Sequence, residues 1–415
     1  MIKLLYFSGN EWGNMGRRKP RLAHEFARQP DVASVLYVEP PVATSILDLA
    51  RGRFEASHLA RTRRDHANAL LSRPRQVEDN VWAYTGSTKT IPLTRLKAMR
   101  QLSGLRRLNE SLYYAGIRRT LRALPGEHLI LWLSHPLHAG ALAAFRRREL
   151  ACYDWTDDWA AFDILPVEDP AEIIALNDRI LRQADLIFAV SAELERRAAA
   201  VNPHTHRAPN ATDPEKLGRA ATDGPVAPEL ADLPRPIIGY LGQVADKMDY
   251  ELIGQIARAR PAWSFVFVGP VWSSKRDQIA ALETLGNVHF LGARPFDQLV
   301  PYLRGFDVCT LPHVLSLLTR SMDPIKLYDY LATGKPIVST PVAGVERFTD
   351  VVQAADGHHA FITAIETALA KDGTLREQRL AYARANTWPA RAEQMWQAIK
   401  EHPSDAKPTP SWKNR

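Results

Sequence analysis

The chain has 415 residues, of which 46% are hydrophobic and 24% charged, a globular composition that excludes a disordered or collagen-like chain. No apolar run reaches the length of a transmembrane helix, and the opening run Met1–Phe7 is too short for a signal peptide, so a cytoplasmic protein is expected. Cys152 and Cys309 lie in strand-like apolar runs and read as buried free thiols, which suits that compartment.

A chain of this length suits two domains of roughly 200 residues each. The net charge of +7 is unevenly spread. Residues 1–150 carry 25 Lys/Arg against 12 Asp/Glu, and the remainder carries 28 against 34. A basic half joined to a mildly acidic half points to an anionic surface facing the first half. Base-reading modules and aromatic–basic interleaving are missing, so an anionic membrane surface is the expected partner and nucleic acid is not.

Ile2 to Ser8 reads as a strand, followed by the loop from Gly9 to Arg17 and a helix from about Pro20 to Arg28. This order opens many nucleotide-binding domains, but the dinucleotide fingerprint GxGxxG is absent. Gly13 and Arg17, near the helix start, are candidates for a loop that binds an anion or a sugar. Val32 to Val38 is the next strand. Residues 42–80 are rich in arginine and show little periodicity, so short helices and loop are expected there. From Leu93 the leucines recur at helical spacing between Arg95, Lys97, Arg100, Arg106 and Arg107, with Arg118, Arg119 and Arg122 further on. Such a stretch is either a core helix with a solvated face or a basic amphipathic helix that lies on anionic lipid.

Strands and helices then alternate, with strands at 128–133, 150–153 and 186–190, which predicts a parallel sheet covered on both faces. Ligands bind beyond the carboxyl ends of such strands. His135 and the pair Asp157 and Asp158 fall there. The two aspartates lie between Trp155 and Trp159, and carboxylates desolvated by apolar rings suit a general base. A Pro-, Ala- and Asp-rich run to Pro236 reads as a linker. A second alternating unit follows, with strands at 237–241, 264–268, 288–290 and 308–311. Its first strand ends in Gly239-Tyr240-Leu241-Gly242-Gln243, which lets a ligand approach the backbone, and Lys247 can reach a phosphate. The stretch Asp323 to Pro336 reads as a helix begun by Pro324, capped by Asp323 and stopped by Gly334, with a strand from Pro336 to Thr340. Lys326 and Asp329 share a face near its start, either as a surface ion pair or as ligands for a phosphate and a sugar hydroxyl.

Ile237-Ile238-Gly239-Tyr240-Leu241-Gly242, Phe265–Gly269, Val288–Gly292 and Lys326–Thr340 follow one another as in GT-B glycosyltransferases. The second half resembles that group, especially family 4 (glycosyltransferase group 1) and related bacterial exopolysaccharide transferases. Asn210-Ala211-Thr212-Asp213 is similar to its linker Asn-Gly-Val-Asp, and Trp388–Ala392 to its closing helix. The resemblance implies an α/β chain of two doubly wound Rossmann-like domains facing a cleft. These are an acceptor-side domain over 1–210, a linker over 211–235 and a nucleotide-sugar domain over 236–385. A helix over 386–400 returns to the first domain, and 401–415 is a tail.

The resemblance further implies transfer of a sugar from a nucleotide diphosphate sugar to a hydroxyl of a lipid-linked or cell-surface polysaccharide, with no metal and no cofactor. Gly242, Gln243, Lys247, Lys326, Tyr328 and Asp329 would bind the donor. The family's Glu-x7-Glu motif places its second acid at Asp329, on the ribose hydroxyls, and its first at Ser321. An inverting enzyme of the exopolysaccharide glucuronosyltransferase type would use Asp157 as base. A retaining one would pack His135 on the donor sugar. Gly13, Arg17 and Asp158 would lie on the acceptor side or in its loop. A peripheral position at the inner face of the membrane is expected. A GT-B epimerase or phosphorylase, or a non-catalytic nucleotide-sugar-binding protein, are the alternatives.

Overall fold

The structure, a computed structural model, describes residues 1–13, 15–42, 67, 69–71, 73–87, 103–161, 170–370 and 373–403. The expected basic residues 95, 97 and 100, most of the stretch 42–80 and the tail beyond residue 403 lie outside them.

In the first domain β1 (Ile2–Phe7), β2 (Val32–Val38), β3 (Arg75–Glu78), β4 (Val81–Tyr84), β5 (His128–Leu133), β6 (Leu150–Trp155), β7 (Leu186–Ala189) and β8 (Thr205–Arg207) form one sheet. Its order is β3-β4-β2-β1-β5-β6-β7-β8, parallel except for β3 against β4. The central strands are almost wholly buried, as a sheet covered on both faces requires. Strand β3 corrects the reading of 42–80 as helices and loop at residues 75–78. Arg75-Gln76-Val77-Glu78 is a polar edge strand, and an edge strand needs no apolar alternation to announce it. Strand β6 also runs two residues further than expected, which places Asp154 inside the sheet at 0% exposure.

Helix α1 (Arg18–Ala27) follows β1. In α2 (Ser103–Ala123) the core contacts come from Tyr113, Tyr114, Ile117 and Leu121, whereas Leu108 and Leu112 of the expected leucine stripe are exposed. Helices α3 (Pro170–Gln183) and α4 (Ala192–Ala199) flank β7. Among the described residues no helix is long and apolar enough to cross a membrane. Cys152 and Cys309 are buried and free.

The second sheet holds β9 (Ile237–Leu241), β10 (Ser264–Val268), β11 (Val288–Gly292), β12 (Val308–Leu311), β13 (Ile337–Ser339) and β14 (Gln353–Ala354). All its pairs are parallel, in the order β11-β10-β9-β12-β13-β14. The order reverses between β1 and β5 in the first sheet and between β9 and β12 in the second. Open α/β sheets part their connecting loops at such points and leave a crevice.

The covering helices include α5 (Tyr250–Ala259), α6 (Leu317–Ser321), α7 (Ile325–Thr333) and α8 (Arg376–Ala385). Leu217, Ala220, Ala227 and Leu230 pack into the second core, so much of 211–235 is built into that domain. The last helix, α9 (Trp388–Glu401), lies against α1. Its Trp388, Ala392, Met395, Trp396 and Ile399 complete the first domain's core, with the Trp396 ring 5.6 Å from that of Phe26.

Candidate active site

Helix α7 starts after Pro324, whose fixed backbone suits a helix entry, and stops at Gly334, which takes the left-handed conformation at φ 70°. Every residue from Leu327 to Thr333 is buried. The Tyr330 hydroxyl accepts a 2.7 Å hydrogen bond from the Leu241 N–H, which fixes the end of β9 against α7. Asp323 does not cap the helix. Its carboxylate accepts from the Asn210 N–H at 2.6 Å and from the Tyr328 hydroxyl at 2.9 Å.

Lys326 is half-buried and crosses directly over Gly242. A β-carbon on Gly242 would lie 2.0 Å from Lys326 Cε. The same glycine has φ 135°, which side chains disfavour, so the tight turn after β9 doubles as the bed for the lysine stem. Lys247 lies beside Lys326, and the charge of Arg17 acts on both from the first domain. Burial pulls the Lys326 pKa well below the lysine range, and the charges of Lys247 and Arg17 lower it further. Burial, followed by Arg17, also lowers the pKa of Lys247. His313, behind the two lysines, is kept neutral chiefly by burial. Lys247 and Lys326, partly removed from water and repelling each other, with the exposed Arg17 of the first domain acting on both, form a site that an anion would stabilise.

Lys326 and Asp329 make no direct ion pair. Asp329 Oδ1 instead accepts a 2.8 Å hydrogen bond from Thr212 Oγ1, and burial pushes its pKa up to about 7.

The first domain supplies a second group around the ends of β1, β5 and β6. His135 packs on Trp159, with ring centres 4.2 Å apart. Its Nδ1 accepts from the Leu137 N–H at 3.1 Å, so the neutral ring carries its proton on Nε2. Burial, then His138 and Lys19, lower its pKa to about 2. Asp157 is half-buried and accepts from Thr156 Oγ1 at 2.7 Å. Its charge acts on Lys19 in its own domain and on Lys247 across the cleft.

Other expected site residues lie apart from this group. Tyr328 is fully buried, packs edge-on against Phe348 and spends its hydroxyl on Asp323, so it supports the helix from behind. Asp158 accepts from Arg197 Nη1 at 2.5 Å and from the Ala160 N–H, and so stabilises the turn after β6. Gly13 lies at the exposed tip of the loop. The Gln243 carbonyl accepts from the Tyr240 hydroxyl at 3.0 Å. Ser321 folds its side chain back onto Leu317 and Leu318, and its carbonyl accepts from Ser191 Oγ of the first domain.

Sequence reasoning missed Thr212, the buried pair Arg18 and Asp154, and the position of Lys19. The linker motif containing Thr212 was the one available signal. Among the described residues no cluster of three or more His, Cys, Asp or Glu side chains is placed to hold a metal ion.

Two parallel-sheet domains whose switch points meet across a cation-lined cleft are the GT-B arrangement, and the chain is a glycosyltransferase of that fold. Residues 235–371 match the family described as Glycosyl transferases group 1. The chain is 26% identical over 282 residues to the "Putative teichuronic acid biosynthesis glycosyltransferase TuaH" of Bacillus subtilis (strain 168), covering 63% of this chain and 70% of that one. Among solved structures, Anabaena Alr3699/HepE in complex with UDP and glucose aligns with a TM-score of 0.64 at 15% identity, covering 96% of this chain and 99% of that one. Sucrose-phosphate synthase from Thermosynechococcus elongatus aligns with a TM-score of 0.66 at 16% identity, covering 96% and 98%.

Proposed function

We propose that the chain transfers a sugar from a nucleoside diphosphate sugar to a hydroxyl of a lipid-linked or cell-surface glycan. The observation that carries this reading is the pair Lys247 and Lys326 beside Gly242, on which the charge of Arg17 acts from the first domain. The UDP complex of Alr3699/HepE supports a nucleotide donor, and the teichuronic acid relative supports a glycan acceptor.

In this reading the diphosphate lies against Lys247 and Lys326, beside Gly242, and Arg17 closes on it from the first domain. Asp329 accepts from the ribose hydroxyls. His135, with its proton on Nε2, donates to a hydroxyl of the donor sugar and does not act as base. Asp157 takes the proton of the acceptor hydroxyl as its oxygen bonds to the anomeric carbon and the diphosphate leaves. Fixed cations facing the leaving group lower the barrier because they need no reorganisation as charge develops. They also take the place of a metal ion, so turnover is expected to persist in EDTA. With Ser321 turned into its own helix and no acid there, single displacement with inversion is the favoured chemistry.

On α2, Leu108, Leu112, Arg119 and Arg122 are exposed and follow one another at helical spacing. Together with the basic first domain, this stripe supports a peripheral position on anionic lipid at the inner face of the membrane. Flotation with anionic liposomes at low salt tests it, and a protein that stays at the bottom of the gradient removes the membrane from the reading.

The donor is tested by thermal shift and hydrolysis with UDP-, GDP- and dTDP-sugars. A ligand present at one hundred times its Kd should stabilise the fold by about 2.7 kcal/mol. A panel in which no nucleotide sugar raises the Tm or is hydrolysed overturns the function. The anomeric configuration of the product, read by NMR, decides the stereochemistry.

A further inference from the structure

The crevice at the switch point of the first sheet holds a cation that the donor reading does not use. Lys19 lies in the first turn of α1 and is only 8% exposed. It makes no hydrogen bond or ion pair to any described residue. Its ammonium lies beside Gly9, at the end of β1, and His135, at the end of β5. A β-carbon on Gly9 would be 3.3 Å from Lys19 Nζ and 3.6 Å from His135 Cδ2. These are the two strands between which the strand order reverses.

A buried ammonium without a partner is costly, and proteins keep one where something pairs with it. Asp157 and Asp154 act on it through their charge, but neither forms an ion pair with it. Asp154 is already clasped by Arg18, with Nη2 to Oδ1 at 2.7 Å. A second polar group in the same crevice is also unpaired. The His138 ring is 5.9 Å from that of His135, and its buried Nδ1 has no hydrogen-bond partner. Neither histidine competes with Lys19 for an anion, because both rings are held neutral. Gly9 brings no side chain, which lets the ammonium lie close to the end of β1.

We infer that Lys19 forms an anion subsite that reads a carboxylate or phosphate on one of the sugar substrates, distinct from the diphosphate site at Lys247 and Lys326. The inference rests on the transferase reading, which places the neighbouring His135 on the donor sugar. The anion comes from one of two sources, a uronic acid as the transferred sugar or a charged sugar on the acceptor.

Calorimetric titration of the full chain separates the sources. UDP-glucuronate is compared with UDP-glucose, and glucose 6-phosphate with glucose, the second pair both with and without UDP. The wild type should prefer the charged member of one pair by tenfold or more. Lys19→Met should bring that pair to parity, Lys19→Arg should keep part of the preference, and the affinity for UDP alone should change less than twofold. Without ligand, Lys19→Met should melt at or above the wild-type temperature, because it removes an unpaired buried charge. No charge preference in either pair, a preference that survives Lys19→Met, or a lower Tm for that variant overturns the assignment. If UDP fails to bind the wild type, the transferase reading falls instead, and the glucose 6-phosphate pair run without nucleotide still decides the subsite.

Discussion

Thr212 Oγ1 donates a 2.8 Å hydrogen bond to Asp329 Oδ1, joining the chain that leaves the first domain to the helix that faces the cleft. Thr212 is fully buried and Asp329 nearly so. Burial raises the Asp329 pKa to about 7, although Thr212 and Lys326 both pull it down. The folded-state pKa therefore lies above the unfolded one. Protonation of this group favours the fold fully below the ordinary aspartate range, and that contribution is lost as pH rises through 7. Asp329→Asn should accordingly melt higher than wild type at pH 8, by on the order of 1 kcal/mol, with the gap narrowing toward pH 4. Under the donor reading the same variant binds the nucleotide sugar less tightly. Thermal melts across pH, paired with titration of the donor, check both halves. A variant less stable than wild type at pH 8 overturns the ionisation argument.

Gly242→Ala tests the bed of Lys326. The new methyl group meets the far end of a flexible side chain, so the lysine is displaced and the core is not disturbed. The stability cost comes from φ 135° at a residue with a β-carbon, about 1 kcal/mol or somewhat more. Donor turnover should fall by more than tenfold, well beyond what that strain explains. Steady-state kinetics and a melt on the same sample separate the two effects. Turnover within a factor of two of wild type shows that the position of Lys326 is immaterial.

Much of this arrangement is written locally. Strands ending in glycine and a helix framed by Pro324 and Gly334 are short-range signals, and with them come Gly242, Lys247 and Lys326. Partners set by the tertiary fold are not local. Thr212 lies 117 residues from Asp329, and no spacing rule joins them. Tyr328 looks like a site residue in sequence because it lies between Lys326 and Asp329. Only the packing against Phe348 and the hydrogen bond from its hydroxyl to the Asp323 carboxylate show that it points away. Strand β3 escaped notice because a polar edge strand resembles a loop.

His135 and Asp157 should differ in their pH behaviour. Burial keeps the His135 pKa at about 2, so its ring stays neutral and donates from Nε2 throughout the working range. His135→Asn, which keeps a donor, should retain more activity than His135→Ala, and neither should shift a limb of the pH–rate profile between pH 5 and 9. Asp157→Asn removes the only one of the two that can accept a proton. Transfer should fall by about 10² to 10⁴, the usual contribution of a general base, while donor affinity stays close to wild type. A pH limb that disappears in His135→Asn, or an active Asp157→Asn, reverses the assignment.

Arg18 and Asp154 make a buried, two-pronged ion pair, with Arg18 Nε 3.0 Å from Oδ2 and Nη2 2.7 Å from Oδ1. Arg18 Nη1 also donates to the Pro209 carbonyl at 3.1 Å and to Asn210 Oδ1 at 3.3 Å. Asn210 in turn donates through its backbone to Asp323, just ahead of α7. One guanidinium thus ties the first sheet to the linker and, through Asn210, to the start of the donor helix. Removing Arg18 alone strands a carboxylate at 0% exposure, so Arg18→Met should cost about 3–5 kcal/mol. Arg18→Met combined with Asp154→Leu should recover much of that loss, because the charge it strands is gone. If the network matters only for stability, the double variant regains turnover along with its Tm. If it also sets the angle between the domains, turnover stays low after stability returns, because Arg17 no longer meets Lys247 and Lys326 on the diphosphate. Denaturant melts and steady-state kinetics on the three variants distinguish these outcomes. A double variant as unstable as the single one shows that the packing of Arg18, and not its charge, holds the junction.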